Sequence, residues 1–354
     1  ITKAMTLQAK LIIMDEPTAA LSGREVDQLL NIVRDLRARG LSIIYVSHKL
    51  NEVKALCDRY SVFRDGRFVT SGAVADVSVN DIVKQMVGRE VVGAKRKPPD
   101  RLGEVVLQVD GITRPRPVAG VSATPLNNLS VQVRAGEIVC IYGLMGAGRT
   151  ELLETVAGRL RASGGRVLLK GQDVSGLTIA QRIEKGLVLV PEDRQRDGLV
   201  QTMTVGKNLS LASIAEMTKG LFTSRKREKQ IVDQSIKNVH IKTDGGEATI
   251  GSLSGGNQQK VVIGKMLATE PEVILLDEPS RGIDIGAKAE VFKLLAEKAK
   301  QGLAVVYTTS EVGECLSIAH RIIVMHRGRI SAEFGSDVSK EKIMAASGEA
   351  MVGH

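Results

Sequence analysis

Two acid pairs close short apolar runs in this chain. Leu11-Ile12-Ile13-Met14 ends in Asp15-Glu16-Pro17, and Val273-Ile274-Leu275-Leu276 ends in Asp277-Glu278-Pro279. A continuous apolar run reads as a buried parallel strand, and ligands of open α/β sheets gather at the carboxyl ends of such strands. Carboxylates placed there can hold a cation or take a proton from an attacking water. The segment Gly143-Leu144-Met145-Gly146-Ala147-Gly148-Arg149-Thr150 follows another apolar run and has the glycine spacing of a phosphate-binding loop. Glycines there let backbone N–H groups curl around phosphates at a helix N-terminus, and the Thr150 hydroxyl is placed to reach Mg²⁺. Arg149 stands where lysine is usual. It keeps the charge, but its planar fork cannot sit between phosphates as a compact ammonium does.

The acid pairs belong to an internal repeat. A constant offset of 262 residues, without a gap, lays Asp15 on Asp277, Glu16 on Glu278, Thr18 on Ser280, His48 on Ser310, Arg59 on Arg321 and Gly66 on Gly328. The same offset carries Ser254 to a position before Ile1. Residues 1–92 are therefore expected to be the C-terminal part of one domain, 93–102 a linker and 103–354 a whole second domain. The linker is marked by the charged, proline-bearing stretch Gly93–Asp100. The elements that must carry the acids are legible in the first copy. Val26, Leu29, Leu30, Val33 and Leu36 have helical spacing, Leu41–Val46 reads as a strand, and Arg59–Val69 as a hairpin turning at Asp65-Gly66. Strand, helix, strand implies a right-handed crossover in a parallel sheet.

Leu253-Ser254-Gly255-Gly256-Asn257-Gln258-Gln259-Lys260 resembles the signature loop of ABC-type ATPases, and the two acid-ended runs resemble their Walker B strands. Together with Gly-Leu-Met-Gly-Ala-Gly-Arg-Thr, Val-Pro-Glu-Asp-Arg and Asp-Glu-Pro-Ser-Arg-Gly-Ile-Asp, the set resembles the tandem ATP-binding subunit of bacterial monosaccharide importers of the ribose, galactose and xylose type. The resemblance implies an α/β fold of P-loop NTPase type, with a parallel-rich core sheet, an antiparallel β subdomain and a helical subdomain over about residues 200–262. It also implies ATP and Mg²⁺ as ligands. Asp15 and Asp277 would then hold the metal, Glu16 would act as general base, and His48 would donate to the γ-phosphate.

By the same resemblance Ser254, Gly255, Gly256 and Gln258 would cap ATP held by the first domain. Gly143, Gly146, Ala147, Gly148, Arg149, Thr150, Glu192 and Glu278 would build the second domain's own pocket. That pocket departs from the family pattern. Arg149 replaces lysine, Glu192 stands at the usual glutamine, Ser310 stands at the switch histidine, and no aromatic precedes the loop to stack on adenine. Nucleotide binding with slow turnover is the expectation there. The implied partners are two integral-membrane permease subunits and, indirectly, a periplasmic sugar-binding protein, with the chain on the cytoplasmic face of the bacterial inner membrane.

Composition sets the outer bounds. The chain has 354 residues, 43% hydrophobic and 25% charged, which is ordinary for two soluble domains. No apolar run approaches the roughly 18 to 20 residues that cross a bilayer. Cys57, Cys140 and Cys315 lack metal-ligand spacing and read as packing thiols of a reducing compartment. The net charge of +9 invites a nucleic-acid reading, but aromatics are only 3% and the cations are scattered, so no nucleic acid is expected. The rival class is a soluble tandem ABC ATPase acting on ribosomes or nucleic acid, for which a long charged linker and two intact sites are the marks. The cluster Ser224–Lys229 reads as a solvated helix face, and His240, His320, His326 and His354 as ordinary surface residues.

Overall fold

The structure is a computed structural model that describes residues 9–18, 23–47, 49–64, 66–87, 102–115, 123–219 and 222–348. His48, His354 and nearly all of the 93–102 stretch lie outside the described residues. The described chain divides into two compact units between Val92 and Gly93, with Asp284–Ala289 grouped with the first.

The first unit runs β1 (Leu11–Asp15), α1 (Gly23–Ala38), β2 (Ser42–Val46), α2 (Leu50–Leu56), β3 (Arg59–Arg64), β4 (Arg67–Ala73) and α3 (Val79–Val87). β1 and β2 pair in parallel, and β3 and β4 form an antiparallel hairpin. The apolar stripe of α1, Leu29, Leu30, Val33 and Leu36, packs on Ile12 and Met14, the inward residues of β1. Each such side chain contributes roughly 1.5–3 kcal/mol on burial. Alternation along the strands turns Leu11, Ile13, Ile44 and Val46 to the opposite face, where they are 45–66% exposed.

The second unit opens with β5 (Val105–Arg114), β6 (Leu126–Arg134), β7 (Ile138–Tyr142), α4 (Arg149–Val156), β8 (Gly164–Leu169), β9 (Gln172–Asp173), α5 (Ile179–Glu184) and β10 (Leu187–Val190). A helical stretch follows: α6 (Val205–Ser210), α7 (Ile214–Met217), the short pair β11 (Thr218–Lys219) and β12 (Phe222–Thr223), α8 (Arg225–Asn238) and α9 (Gly255–Leu267). The chain then returns through β13 (Val273–Leu276), α10 (Ile285–Lys300), β14 (Ala304–Thr309), α11 (Val312–Ile318), β15 (Arg321–His326), β16 (Arg329–Gly335) and α12 (Lys340–Ala346).

The core sheet has the order β10-β13-β14-β7-β15-β16, parallel except for the last pairing, and an antiparallel sheet β6-β5-β8-β9 packs with it. One apolar cluster joins the two sheets to α4, through Val139, Ile141, Leu152, Leu153, Leu275 and Val306 among others. This is the α/β arrangement of the P-loop class. The helical stretch runs to Leu267, five residues beyond the boundary expected from sequence, because α9 continues unbroken into the turn before β13.

The repeat persists at the level of hydrogen-bond register. β1 pairs β2 as Leu11↔Ser42 and Met14↔Tyr45, and β13 pairs β14 as Val273↔Ala304 and Leu276↔Tyr307, the same residues under the 262 offset. Both hairpins carry a bulge at the same place, between Val62 and Phe63 and between Val324 and Met325. A buried acid is repeated as well. Glu52 accepts from Thr18 Oγ1 (2.9 Å) and Tyr45 OH (2.7 Å), and Glu314 accepts from Ser280 Oγ (2.5 Å) and Thr309 Oγ1 (2.6 Å).

Two of the four histidines read as surface residues are structural instead. His320 Nδ1 accepts from the Ile138 amide (3.1 Å), and His326 Nδ1 lies 2.9 Å from the Ser347 carbonyl. Cys140 and Cys315 are buried free thiols, and Cys57 is partly buried. Among the described residues no helix is long and apolar enough to cross a membrane, and no group of acids, histidines and cysteines is set to hold a metal.

Glu314 is 2% exposed and accepts from two hydroxyls that are themselves buried. Glu314→Ala is expected to destabilise the chain by about 2–4 kcal/mol, since both donors lose their acceptor. Urea unfolding checks this: the midpoint falls and the slope stays constant.

Candidate functional site

β7 is buried at every residue and delivers the chain into the glycine loop. Gly143 sits so close to the Met325 carbonyl (2.6 Å from a Cβ) that no side chain fits there. Gly148 takes the left-handed conformation at φ 98° as the N-cap of α4, whose first residues are Arg149 and Thr150. Ala147 is buried, and its carbonyl accepts from the Gly328 amide (2.8 Å). Thr124 Oγ1 holds the Gly146 carbonyl (2.9 Å). The loop is therefore fixed from both sides, with α4's free amides at its end.

Four of the sequence-selected residues meet beside this loop. Arg149 Nη1 lies 2.8 Å from Glu278 Oε1, and both side chains are only about 10% exposed. The contact is one of charge more than of alignment, since that Nη1 has no acceptor along its N–H bonds. Asp277 is buried, with the Thr150 hydroxyl beside it. Burial pushes the Asp277 carboxyl above the usual carboxylate range, and the hydroxyls of Thr308 and Thr150 and the charge of Arg149 pull it back. Glu278 is raised for the same first reason. Arg149 and a hydrogen bond from Ser310 oppose the rise, while the charges of Glu314 and Asp277 add to it.

Thr308 was not singled out from sequence, yet it joins the two acids. Its Oγ1 donates to Asp277 Oδ1 (2.5 Å) and accepts from the Glu278 amide (3.0 Å). In the first copy the corresponding residue is Val46, and there the Glu16 amide donates to the Val46 carbonyl (2.9 Å). A hydroxyl at the carboxyl end of a strand, where the other copy has an apolar residue, was the available signal. Glu16 and Glu278 share φ 44°, a left-handed backbone that costs an acidic residue about 1 kcal/mol or more and that persists where a site demands it.

The remaining residues lie in other places. Ser254 caps α9, its Oγ accepting from the Asn257 amide (3.4 Å) and from Asn257 Nδ2 (3.0 Å). Asn257 also accepts from the Lys242 amide (3.0 Å), so the departure from the usual glutamine serves local structure. Gly255 and Gly256 open the helix, and Gln258 is buried. Glu192 pairs with the side chain of Arg281. Asp15 and Glu16 end β1 in the first unit, and His48 lies outside the described residues.

The ABC transporter family model matches residues 126–281. The chain is 40% identical over 349 residues to a xylose import ATP-binding protein of Ralstonia nicotianae, covering 98% of this chain and 68% of that protein. It is 41% identical over 345 residues to a ribose import ATP-binding protein of Oceanobacillus iheyensis, covering 97% and 68%. The chain belongs to the ABC transporter family, among the ATP-binding proteins of monosaccharide import.

Its fold agrees with solved ABC cassettes. A nucleotide-free ATP-binding cassette from an ABC transporter matches with TM-score 0.59 and 22% identity, over 68% of this chain and 96% of that one. A dimeric cassette in a post-hydrolysis state, bound to ADP and phosphate, matches with TM-score 0.57 and 20% identity, over 66% and 100%. As a member of this ABC family the protein binds ATP, and its activity is ATP hydrolysis coupled to transport.

The Arg149–Glu278 pair predicts a coupling. Arg149→Ala leaves a nearly buried carboxylate without its counter-charge and is expected to cost about 3 kcal/mol in the nucleotide-free chain. Adding Glu278→Gln should recover more than half of that, a coupling of about 1–3 kcal/mol in a double-mutant cycle followed by urea unfolding. Additive losses would show that the two side chains do not depend on one another.

Proposed function

We propose that this chain energises uptake of a monosaccharide, with turnover carried by the first unit's acids and the second pocket serving mainly to bind nucleotide. The observation that carries the reading is the Arg149–Glu278 pair. A general base must present a free lone pair to the attacking water, and the Glu278 oxygen that faces Arg149 is taken up by that guanidinium, even though burial holds the carboxyl above its ordinary range. Glu278 faces that cation and a hydrogen bond from Ser310.

In the second pocket the Thr150 hydroxyl and the Asp277 carboxylate would hold Mg²⁺. Their contact fits a cation bound mostly through phosphate oxygens and waters, with few protein ligands. In the first unit Asp15 would hold Mg²⁺, Glu16 would polarise water, and His48 would donate to the γ-phosphate, as in other phosphoryl-transfer sites. Ser254, Gly255 and Gly256, with Gln258 behind them, would cap a nucleotide held by a phosphate loop other than Gly143–Thr150, since an open helix N-terminus favours an anion.

The relatives' names favour transport over a role on ribosomes or nucleic acid. On this reading the chain works at the cytoplasmic face of the bacterial inner membrane against two permease subunits. A periplasmic sugar-binding protein would deliver the sugar to them.

In the assembled transporter, Glu16→Gln is expected to lower ATP turnover at least a hundredfold, roughly 3 kcal/mol in the barrier, and Glu278→Gln less than threefold. Steady-state phosphate release measures both. Equal losses would show that the two acids are equivalent, and the asymmetry would then be abandoned.

A further inference from the structure

The segment after Glu192 forms one five-residue turn of π type, Arg194–Gly198, capped by Asp193 Oδ1, which accepts from the amides of Gln195 (3.0 Å) and Arg196 (3.1 Å). π turns recur at functional positions. The side chain of Arg194 runs inward and forms no ion pair with a carboxylate among the described residues. Nη1 donates to the Arg281 carbonyl (2.7 Å) and Nη2 to the Gly282 carbonyl (2.9 Å), while Nε is buried with no acceptor among the described residues. The same Nη2 lies where a Cβ on Gly255 would come within 2.9 Å, so the guanidinium rests on the first residue of α9.

Two further bonds tie this turn to α9. Gln195 Nε2 donates to Gln258 Oε1 (2.5 Å), and the buried Lys265 ammonium donates to the Gly198 carbonyl. The turn's tip, Arg196 and Asp197, is exposed.

We propose that Arg194 is a positioning residue that bridges the Ser254-capped start of α9 to the Arg281–Gly282 turn, so that displacement of the exposed Arg196–Asp197 tip moves both together. A planar fork can donate to two successive carbonyls at once, and an ammonium on a flexible stem cannot hold both in one geometry. The bridge rests on the proposed reading only for its effect on turnover. Its effect on local opening stands without it.

Two measurements test the bridge. In Arg194→Lys and Arg194→Met chains, hydrogen exchange at amides 254–258 and 281–283 is expected to quicken about tenfold in both segments, with β7 and β14 unchanged. In the assembled transporter both variants should lose about tenfold in kcat, with KM for ATP within twofold. Recovery by lysine would show that charge alone matters and would overturn the bridge. Faster exchange in only one segment, or throughout the chain together with a lower unfolding midpoint, would overturn it too. Should Glu16→Gln leave turnover intact, the reading of the first unit's acids fails, while the exchange data still judge the bridge.

Discussion

Two carboxylates buried side by side at the end of a strand cannot both stay ionised without compensation, and the second pocket is organised around that constraint. Desolvation raises both Asp277 and Glu278. The chain answers with its own groups: Thr308 and Thr150 on Asp277, Arg149 and Ser310 on Glu278. The geometry of the phosphate loop is unaffected, because it depends on backbone conformation at Gly143 and Gly148 and on packing under β7. The loop can thus keep its shape while the acids beside it are already occupied.

Much of the scaffold was legible in the sequence, because the repeat supplies an internal control. Apolar runs ending in acids gave β1 and β13, and the helical spacing of Leu29, Leu30, Val33 and Leu36 gave α1. A gapless offset requires equal register, and the sheets show it down to the matched bulges. What remained hidden depends on side chains that act across long sequence separations. Arg194 meets carbonyls 87 and 88 residues away, and His320 accepts from an amide 182 residues away, and neither has a local pattern to announce it. Thr308 was nearer to legible. Aligning it with Val46 shows a hydroxyl gained at the strand end beside the acids, and only the three-dimensional position of that end gives the change a meaning.

The two copies separate what the backbone does from what the side chains do. Both glutamates adopt φ 44°, Glu16 one residue and Glu278 two residues past the end of a parallel strand. If that strained turn existed for one chemical step alone, a copy with an encumbered glutamate would have little to keep it. Its persistence beside Arg149 argues that the turn also serves geometry. It bends the chain from β13 toward Ser280, Arg281 and Gly282, the residues that engage Glu314, Glu192 and Arg194. Relaxing Glu278 to an extended backbone would redirect all three contacts, so the signature helix and the acid pair are constrained by a single dihedral angle. Substitutions at Arg149 and Ser310 can then retune the chemistry of the pocket, because they meet only the Glu278 side chain, whereas Thr308 also accepts from the Glu278 amide and is tied to that turn.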